Sequence, residues 1–494
     1  MLKRRYMFFL IFQMFVCLFA YCIISWDFQQ ITIEKQLGII SIVSLIGYSI
    51  FLKRSKLNIF TVGNIFIVFL YLMNLGLPIA RLCGWINTED AIRFMDRRIY
   101  SMGCEIFNRF IVYAICIISF IELGYTYFCL NDKNNKCIHY RYIDSYDDGS
   151  NFEKKLKHIH LGGIILVILG FVPYIYLEYY YILGSLIYGY QNVDNPYISS
   201  GNGIGLLSNL MTIGLIMLAI SFQKQKRAFD LLFFFVVSYH LIRMYLTGDR
   251  STGLMIIFVW ALMRHKYINP IKGKKIIPMI GLTYIAMMFL KTIEMTRSLG
   301  GMDVYEAISK LSDSNILGET VFEYGGNVWS GLMVMYSVPT TSSFRFGLTY
   351  FAAVIGKPFK ILGITDKIWK YADFSNFLMQ EERGPLINSL TAAMGGSFIG
   401  ELWFNFGWVA IVIASFFGIF LGWLSMACFD SDSDPFLSSY LLYISTLLLW
   451  WTRQYFTSVA WDALVYGAVL LLLKPLVKLI EIKLLVYFDY KSNQ

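Results

Sequence analysis

Residues 107–130 read FNRFIVYAICIISFIELGYTYFCL and form a nearly continuous apolar run. The run exceeds the roughly 20 residues that a helix needs to cross the hydrocarbon of a bilayer. Lipid offers the backbone no hydrogen-bond partner, so such a segment must be a helix or part of a closed barrel. Barrel strands alternate apolar and polar residues, and this run does not. The stretch therefore predicts a transmembrane α-helix.

Runs of the same kind recur along the whole chain of 494 residues, which is 57% hydrophobic and only 15% charged. Soluble proteins carry roughly 25% charged residues, so a membrane-embedded bundle is favoured over soluble domains. We predict an all-α integral membrane protein with about twelve transmembrane helices. The predicted helices are 6–26, 37–52, 58–80, 107–130, 159–183, 203–222, 229–247, 251–264, 276–292, 406–428, 436–452 and 457–473.

The basic residues lie in short clusters between the apolar runs. Lys3–Arg5, Lys53–Lys56 and Lys224–Arg227 all fall on one side of the predicted bundle, and the other side is poorer in Lys and Arg. The positive-inside rule then places both termini in the cytoplasm. The net charge of +9 is accounted for by membrane orientation, so nucleic acid is not an expected partner.

One connection is much longer than the others. Residues 293–395 lie on the predicted outer face and carry two apolar, aromatic-rich segments, Val328–Val338 and Phe346–Ile355. We expect amphipathic helices that lie on the membrane surface or cap a cavity. The predicted organisation is one membrane-embedded domain: helices over 1–292, the outer loop over 293–395, helices over 396–473 and a cytoplasmic tail over 474–494.

Charged residues inside or beside membrane helices are costly, so each one is a candidate functional residue. The seventh predicted helix ends in HLIRMYLTGDRS at residues 240–251, which puts His240 and Arg243 on one helical face. Arg243 and Arg250 could grip an anionic head group through paired hydrogen bonds to phosphate oxygens. Alternatively, Arg243 extends to the interface, Asp249 and Arg250 form a solvated turn, and His240 is a packing residue.

A second candidate segment follows the long loop. Residues 395–408 read GGSFIGELWFNFGW, and the spacing puts Glu401 and Asn405 on one helical face. A carboxylate at the rim of a membrane cavity is partly desolvated, which suits a general base. The alternative is structural, with Glu401 stabilising a helix N-terminus.

The long loop adds weaker candidates. Glu323 lies in FEYGG (322–326), where aromatic faces and a carboxylate could hold a sugar ring. Arg297, Arg345 and Arg383 are further anion-binding candidates, although Arg297 could simply pair with Glu294. Two acids within predicted helices, Glu122 and Glu178, have no evident partner. No phosphate loop, dinucleotide turn or metal-ligand motif is found, so neither a metal nor another cofactor is expected.

The layout resembles the Wzy-type polymerases of oligosaccharide repeat units, which build O-antigen and capsular polysaccharide in bacteria. The features that carry the likeness are the helix number, the large late loop, the Gly248–Ser251 turn (GDRS) and the 395–408 segment. The resemblance implies a GT-C-like membrane glycosyltransferase that joins undecaprenyl-pyrophosphate-linked oligosaccharides without a metal. It implies Arg243 and Arg250 as pyrophosphate clamps, and Glu401 as general base or sugar-orienting residue.

The remaining residues fit the same chemistry. His240 is a second candidate base, Arg297, Arg345 and Arg383 are secondary anion binders, and Glu323 and Asn405 are candidate sugar contacts. A flippase and a chain-length regulator are possible protein partners under this interpretation. Two alternatives stay open at this point: an O-antigen ligase, which transfers finished polymer to lipid A core, and a flippase, which transports the same lipid-linked units.

Overall fold

The computed structural model describes residues 2–25, 30–85, 104–131, 150–188, 202–270, 276–296, 305–306, 309, 315–365, 367–372, 374, 377–378, 395–429 and 434–492. Every regular element within these ranges is a helix. The first ten helices are α1 Leu2–Ile24, α2 Gln30–Arg54, α3 Val62–Leu70, α4 Gly76–Leu82, α5 Cys104–Asn131, α6 Ser150–Tyr188, α7 Asn202–Ser221, α8 Lys226–Thr247, α9 Arg250–Tyr267 and α10 Ile276–Thr296. A π-helical turn, Tyr71–Leu75, joins α3 to α4.

Four helices form the region predicted as a long loop: α11 Ile316–Gly325, α12 Val328–Ser337, α13 Leu348–Ile361 and α14 Lys367–Ala372. The last four are α15 Phe398–Phe406, α16 Ala410–Ala427, α17 Pro435–Trp451 and α18 Phe456–Ser492. A short 3-10 turn, Gly407–Val409, joins α15 to α16. All twelve predicted helices are thus confirmed as helices. Within the described ranges, nine helices are long and apolar enough to span a membrane, and Pro435–Trp451 is a shorter apolar helix.

Two helices run well beyond their predicted limits. α6 has 39 residues and α18 has 37, about 58 and 55 Å at 1.5 Å per residue. Residues 474–492, predicted as a tail, are therefore a helical continuation of α18. Apolar composition marks the part of a helix that lies in lipid, and a helix can continue into water with charged residues such as Lys154 or Lys478.

The core is centred on α5, whose residues Phe110–Ile115 are fully or almost fully buried. α5 packs against α16 with backbone almost touching backbone. A Cβ atom added at Gly124 would lie 1.9 Å from the Ser415 carbonyl oxygen, and one at Gly418 would lie 2.1 Å from the Ile121 carbonyl oxygen. Small residues allow such close helix pairs inside membranes, where dispersion contacts rather than water exclusion hold helices together.

The loop region is built into the bundle. α12 is buried at eight of its ten positions, so it packs within the protein. Whether the loop lies on the membrane surface or caps a cavity stays a prediction. Gly331 explains the close packing, because a Cβ there would lie 2.2 Å from the ring of Phe110. α13 is amphipathic as predicted, with Phe351 exposed and Ala353 buried.

The chain direction brings several helix ends together. The loop region connects the end of α10 to the start of α15. We call the end of the bundle where these two helix termini lie the loop end. Successive membrane helices that run in alternate directions also place the α8–α9 turn and the α17–α18 turn at this end. Of the candidate residues whose side chains the structure describes, His240, Arg243, Glu323, Arg345, Glu401 and Asn405 therefore belong to this end.

Candidate functional site

Glu401 lies in the first turn of α15, where the Ser397 hydroxyl caps the helix by accepting from Gly400 N. Its carboxylate is almost fully buried and accepts hydrogen bonds from Trp451 Nε1 and from Phe456 N at 3.0 Å. Phe456 is the first residue of α18, whose N-terminal N–H groups have no partner within the helix. Glu401 thus caps a neighbouring helix and holds the α17–α18 turn.

Asn405 lies on the same face of α15 as Glu401, as the spacing predicted. Its Nδ2 donates to the Glu401 carbonyl oxygen at 3.0 Å. Its Oδ1 accepts from Thr349 Oγ1 at 2.7 Å and from Gly347 N at 3.2 Å. The side chain is fully buried, and its polar atoms fasten the start of α13 to α15.

The segment before α13 is held by the same helix. Arg345 N and Phe346 N donate to the carbonyl oxygens of Phe404 and Asn405, at 3.1 and 2.8 Å. We call the set Arg345, Thr349, Glu401 and Asn405 the α13–α15 junction. Burial and the nearby Glu401 charge hold the pKa of Tyr350, which adjoins Thr349, well above its usual range, so this phenol stays protonated.

Arg345 is the cation of this junction. Its guanidinium lies over the rings of Tyr371 and Phe404, with centroid distances of 5.0 and 5.4 Å. No carboxylate within the described ranges pairs with it, and its buried Nε has no hydrogen-bond partner there. The guanidinium is therefore positioned by aromatic faces and by its backbone, and no carboxylate of the described residues neutralises its charge.

Arg243 is held in the opposite way. Its Nε donates to Glu178 Oε2 at 2.7 Å and its Nη1 to Asp249 Oδ2 at 3.2 Å. The same Glu178 oxygen accepts from Tyr239 OH at 2.9 Å, and the guanidinium lies 4.9 Å from the ring centroid of Tyr181. We call Glu178, Tyr239, Arg243 and Asp249 the Arg243 cluster.

Sequence reasoning did not identify Arg243 as the partner of Glu178, because α6 and α8 meet through residues 65 positions apart. Glu122 also has partners that the sequence did not reveal. Gln13 Nε2 and Tyr71 OH donate to its carboxylate, the latter at 3.0 Å. Buried charges in a membrane bundle persist when such partners are present, so both acids have a structural explanation.

His240 is buried one helical turn before Arg243. Its ring packs edge-on against Tyr239, with centroids 5.1 Å apart. Its Nδ1 has no hydrogen-bond partner in the part of the chain that the structure describes. His240 and Arg243 share a buried face, as their spacing predicted.

Other predicted residues are less informative. Gly248 adopts the left-handed conformation, with φ +71, and ends α8, so the predicted turn is confirmed. Glu323 is half-buried in α11. The side chains of Arg250, Arg297 and Arg383 lie outside the described residues.

A further acid, Asp462, was not singled out. It lies in α18, and its Oδ2 is 3.5 Å from Asn209 Nδ2 of α7. A lone acid within an apolar helix is the signal that drew attention to Glu122 and Glu178, and the same signal is present in 457–473. Over the described ranges, no group of three or more His, Cys, Asp or Glu side chains is placed to hold a metal ion.

Comparison with known proteins gives one match. A family model described as O-antigen polysaccharide polymerase Wzy matches residues 6–480, nearly the whole chain. A search of curated proteins and a search of solved structures each found no match. The match spans the candidate membrane helices and both groups of site residues, so the protein is a multi-pass membrane protein and belongs to the O-antigen polysaccharide polymerase Wzy family.

Proposed function

We propose that the protein polymerises undecaprenyl-pyrophosphate-linked oligosaccharide repeat units into O-antigen or capsular polysaccharide at the outer face of the bacterial cytoplasmic membrane. The observation that carries the polymerase assignment is the family match over residues 6–480. It favours polymerisation over the ligase and flippase alternatives. Placing the loop end on the outer face, and both termini in the cytoplasm, rests on the distribution of Lys and Arg.

The proposed reaction is a glycosyl transfer. A hydroxyl oxygen of the incoming repeat unit bonds to the anomeric carbon of the growing chain, and the bond from that carbon to the pyrophosphate oxygen breaks. The electron pair leaves with the lipid pyrophosphate, and the hydroxyl proton passes to a base. The protein must therefore stabilise an anionic leaving group and accept one proton.

Arg345 is the best-supported residue for the leaving group. A guanidinium forms paired hydrogen bonds with phosphate oxygens, and Arg345 has no counter-charge among the described residues. A buried donor without a partner costs about 1–3 kcal/mol, and a phosphate oxygen on Nε would remove that cost. We propose guanidinium groups, rather than a metal ion, as the source of charge stabilisation.

Arg243 fits a clamp less directly. Its charge is already compensated by Glu178 and Asp249, whose oxygens lie 2.7 and 3.2 Å away. Arg250, Arg297 and Arg383 stay predictions as further anion binders, and Glu323 stays a prediction as a sugar contact. We propose that Arg243 chiefly orients α8.

His240 is the better supported of the two predicted bases. Its Nδ1 has no described partner, whereas the oxygens of Glu401 already accept from Trp451 and Phe456. A substrate hydroxyl could donate to a neutral ring nitrogen and then transfer its proton. We propose Glu401 and Asn405 as residues that position the α13–α15 junction.

The test is the ladder of surface polysaccharide on a gel, from cells without the gene and from cells with it restored. A polymerase predicts a single repeat unit on its lipid after deletion, and a full ladder after restoration. Full-length polymer retained on the lipid carrier would instead identify a ligase. Absence of any repeat unit from the outer face would identify a transporter.

A further inference from the structure

A second group of polar side chains lies beside the proposed anion site, where α7, α13 and α18 meet. Asp462 Oδ2 of α18 is 3.5 Å from Asn209 Nδ2 of α7. The ammonium group of Lys357, from α13, lies 5.3 Å from the ring centroid of Trp461 and attracts the Asp462 carboxylate. Three helices thus bring a carboxylate, an amide, an ammonium and an indole together.

The accessible part of this group must meet water. Asp462, Asn209 and Lys357 are each half-buried, so part of each residue is accessible. An ionisable side chain facing lipid is costly, by roughly 2.5–3.5 kcal/mol near the bilayer centre. Leu464 is 46% exposed and lies about 200° around α18 from Asp462, at 100° per residue. The exposed apolar side of α18 is therefore a different side from that of Asp462, and we call the junction of α7, α13 and α18 at Asp462 the cleft.

The group is not a closed structural ion pair. Asp462 has an amide contact at 3.5 Å, the outer limit of a hydrogen bond, whereas both oxygens of the buried Glu401 accept from Phe456 N, at 3.0 and 3.1 Å. The neighbouring Trp461 is 8% exposed, and its Nε1 has no hydrogen-bond partner in the described residues. A buried indole N–H normally has a partner. The cleft therefore contains a buried donor, Trp461 Nε1, and a half-buried acceptor, the Asp462 carboxylate. Among the described residues, the donor has no hydrogen-bond partner and the acceptor has one long contact.

The chemistry suits hydroxyl groups and disfavours phosphate. A carboxylate accepts from neighbouring hydroxyls, while an indole N–H, an amide and an ammonium donate to them. A diphosphate would be repelled by Asp462, and the positive charge of Lys357 is compensated by the same carboxylate. Arg345, by contrast, has no compensating carboxylate among the described residues.

The two groups are linked by one helix. Arg345 lies three residues before α13, and Lys357 lies in its third turn. From Leu348 to Lys357 the helix rises about 14 Å, which exceeds the length of one sugar ring. An oligosaccharide could therefore contact the cleft while its diphosphate lies at the junction.

We propose that Asp462, Asn209, Lys357 and Trp461 form a subsite that binds the hydroxyl groups of the saccharide chain. The subsite rests on the proposed function, since it takes the same substrate. It assigns a sugar-binding role to residues of α7, α13 and α18 that lie apart from the candidates predicted from the sequence.

The experiment measures saturation transfer in NMR from the full-length protein, in lipid nanodiscs, to a soluble oligosaccharide. The probe is the repeat-unit oligosaccharide released by mild acid from its lipid carrier, so it lacks the diphosphate. We expect transfer from the wild-type protein to the oligosaccharide, and a loss of about tenfold in affinity for Asp462→Ala and for Asn209→Ala. Asp462→Asn keeps the shape of the side chain and replaces Asp462→Ala in this measurement if the alanine variant does not fold.

The matched control is Asp230→Ala. Asp230 is also a half-buried carboxylate, and its cationic partner is Arg264 at 2.9 Å. It lies near the start of α8, away from the loop end. Its variant should bind the probe as the wild type does. Absence of transfer from the wild-type protein to the oligosaccharide would overturn the subsite. Transfer from Asp462→Ala, Asp462→Asn and Asn209→Ala equal to that from the wild type would overturn it as well.

Failure of the subsite and failure of the polymerase proposal give different results. If deletion of the gene leaves the ladder intact, the polymerase proposal fails whatever the probe does. If the deletion removes the ladder and the variants still bind the probe as the wild type does, only the subsite fails.

Discussion

The Arg243 cluster and the α13–α15 junction both place an arginine at the loop end, but they treat its charge in opposite ways. Arg243 is almost buried and is paired with two carboxylates, Glu178 and Asp249. Arg345 is half-buried between two aromatic rings, and no described carboxylate pairs with it. A compensated cation holds helices together, whereas an uncompensated one is available to an anion. Partners, rather than residue type, therefore separate the structural arginine from the proposed binding arginine.

The largest expected effect is on stability, at the Arg243 cluster. Glu178→Ala leaves a buried guanidinium with only Asp249, and breaking a buried pair in this way costs about 3–5 kcal/mol. We expect a clear fall in the thermal unfolding midpoint of the purified protein. Glu105→Ala breaks the exposed pair with Arg109 and should cost less than about 0.5 kcal/mol. Equal unfolding midpoints for Glu178→Ala and Glu105→Ala would refute a structural role for the Arg243 cluster.

The next effect is on activity, at Arg345. Loss of one preorganised donor to a developing anion lowers the rate by about 10²–10³-fold, and Arg345→Ala should do so with an unchanged unfolding midpoint. The rate of polymer formation from lipid-linked repeat units measures this. Arg109, also at the loop end but paired with Glu105, supplies the control Arg109→Ala, which should retain full activity. Normal polymerisation by Arg345→Ala would refute its role with the leaving group.

Glu401→Gln tests whether the junction is structural. Both carboxylate oxygens accept from Phe456 N, and the amide replaces one of them with an NH2 group that faces this donor, which costs about 1–3 kcal/mol of stability. Polymerisation per folded molecule should stay close to the wild-type value. A folded Glu401→Gln protein that has lost activity would show that this carboxylate takes part in the chemistry. The two arginines alone would then not account for the activity of the loop end.

The smallest expected effect is at Thr349. Thr349→Val removes the hydroxyl that donates to Asn405 Oδ1 at 2.7 Å, which should cost about 1 kcal/mol in unfolding free energy. Because Asn405 also holds Gly347, the position of Arg345 should loosen and polymerisation should fall by a few-fold. Thr341→Val, whose hydroxyl bonds only within its own turn, is the control. A Thr349→Val protein with less activity loss than Thr341→Val would argue against a positioning role.

Sequence reasoning predicted the helices well, because the length of an apolar run is fixed by the thickness of the bilayer. It also placed the Gly248 turn and the shared face of Glu401 and Asn405, since both follow from local geometry. It failed where structure depends on distant partners. The Glu178–Arg243 pair and the capping of α18 by Glu401 join positions 65 and 55 residues apart.

The loop region shows the same limit. Its aromatic, apolar segments fit an amphipathic surface helix as well as a buried one, and only the packing of Gly331 on Phe110 decides for α12. Asp462 was overlooked because 457–473 fitted a membrane helix without it. In a bundle with few charges, a single acid is informative even when its helix assignment is already secure.

The cap that Glu401 places on α18 also bears on how the protein is made. Its donors, Trp451 and Phe456, lie 50 and 55 residues further along the chain. At about 5–20 residues per second, the ribosome takes roughly 3–11 s to deliver Phe456 after Glu401 has emerged. Until Trp451 and Phe456 have both been added, the α15 carboxylate lacks at least one of these donors. A chain that stops before Trp451 therefore leaves this acid without either donor.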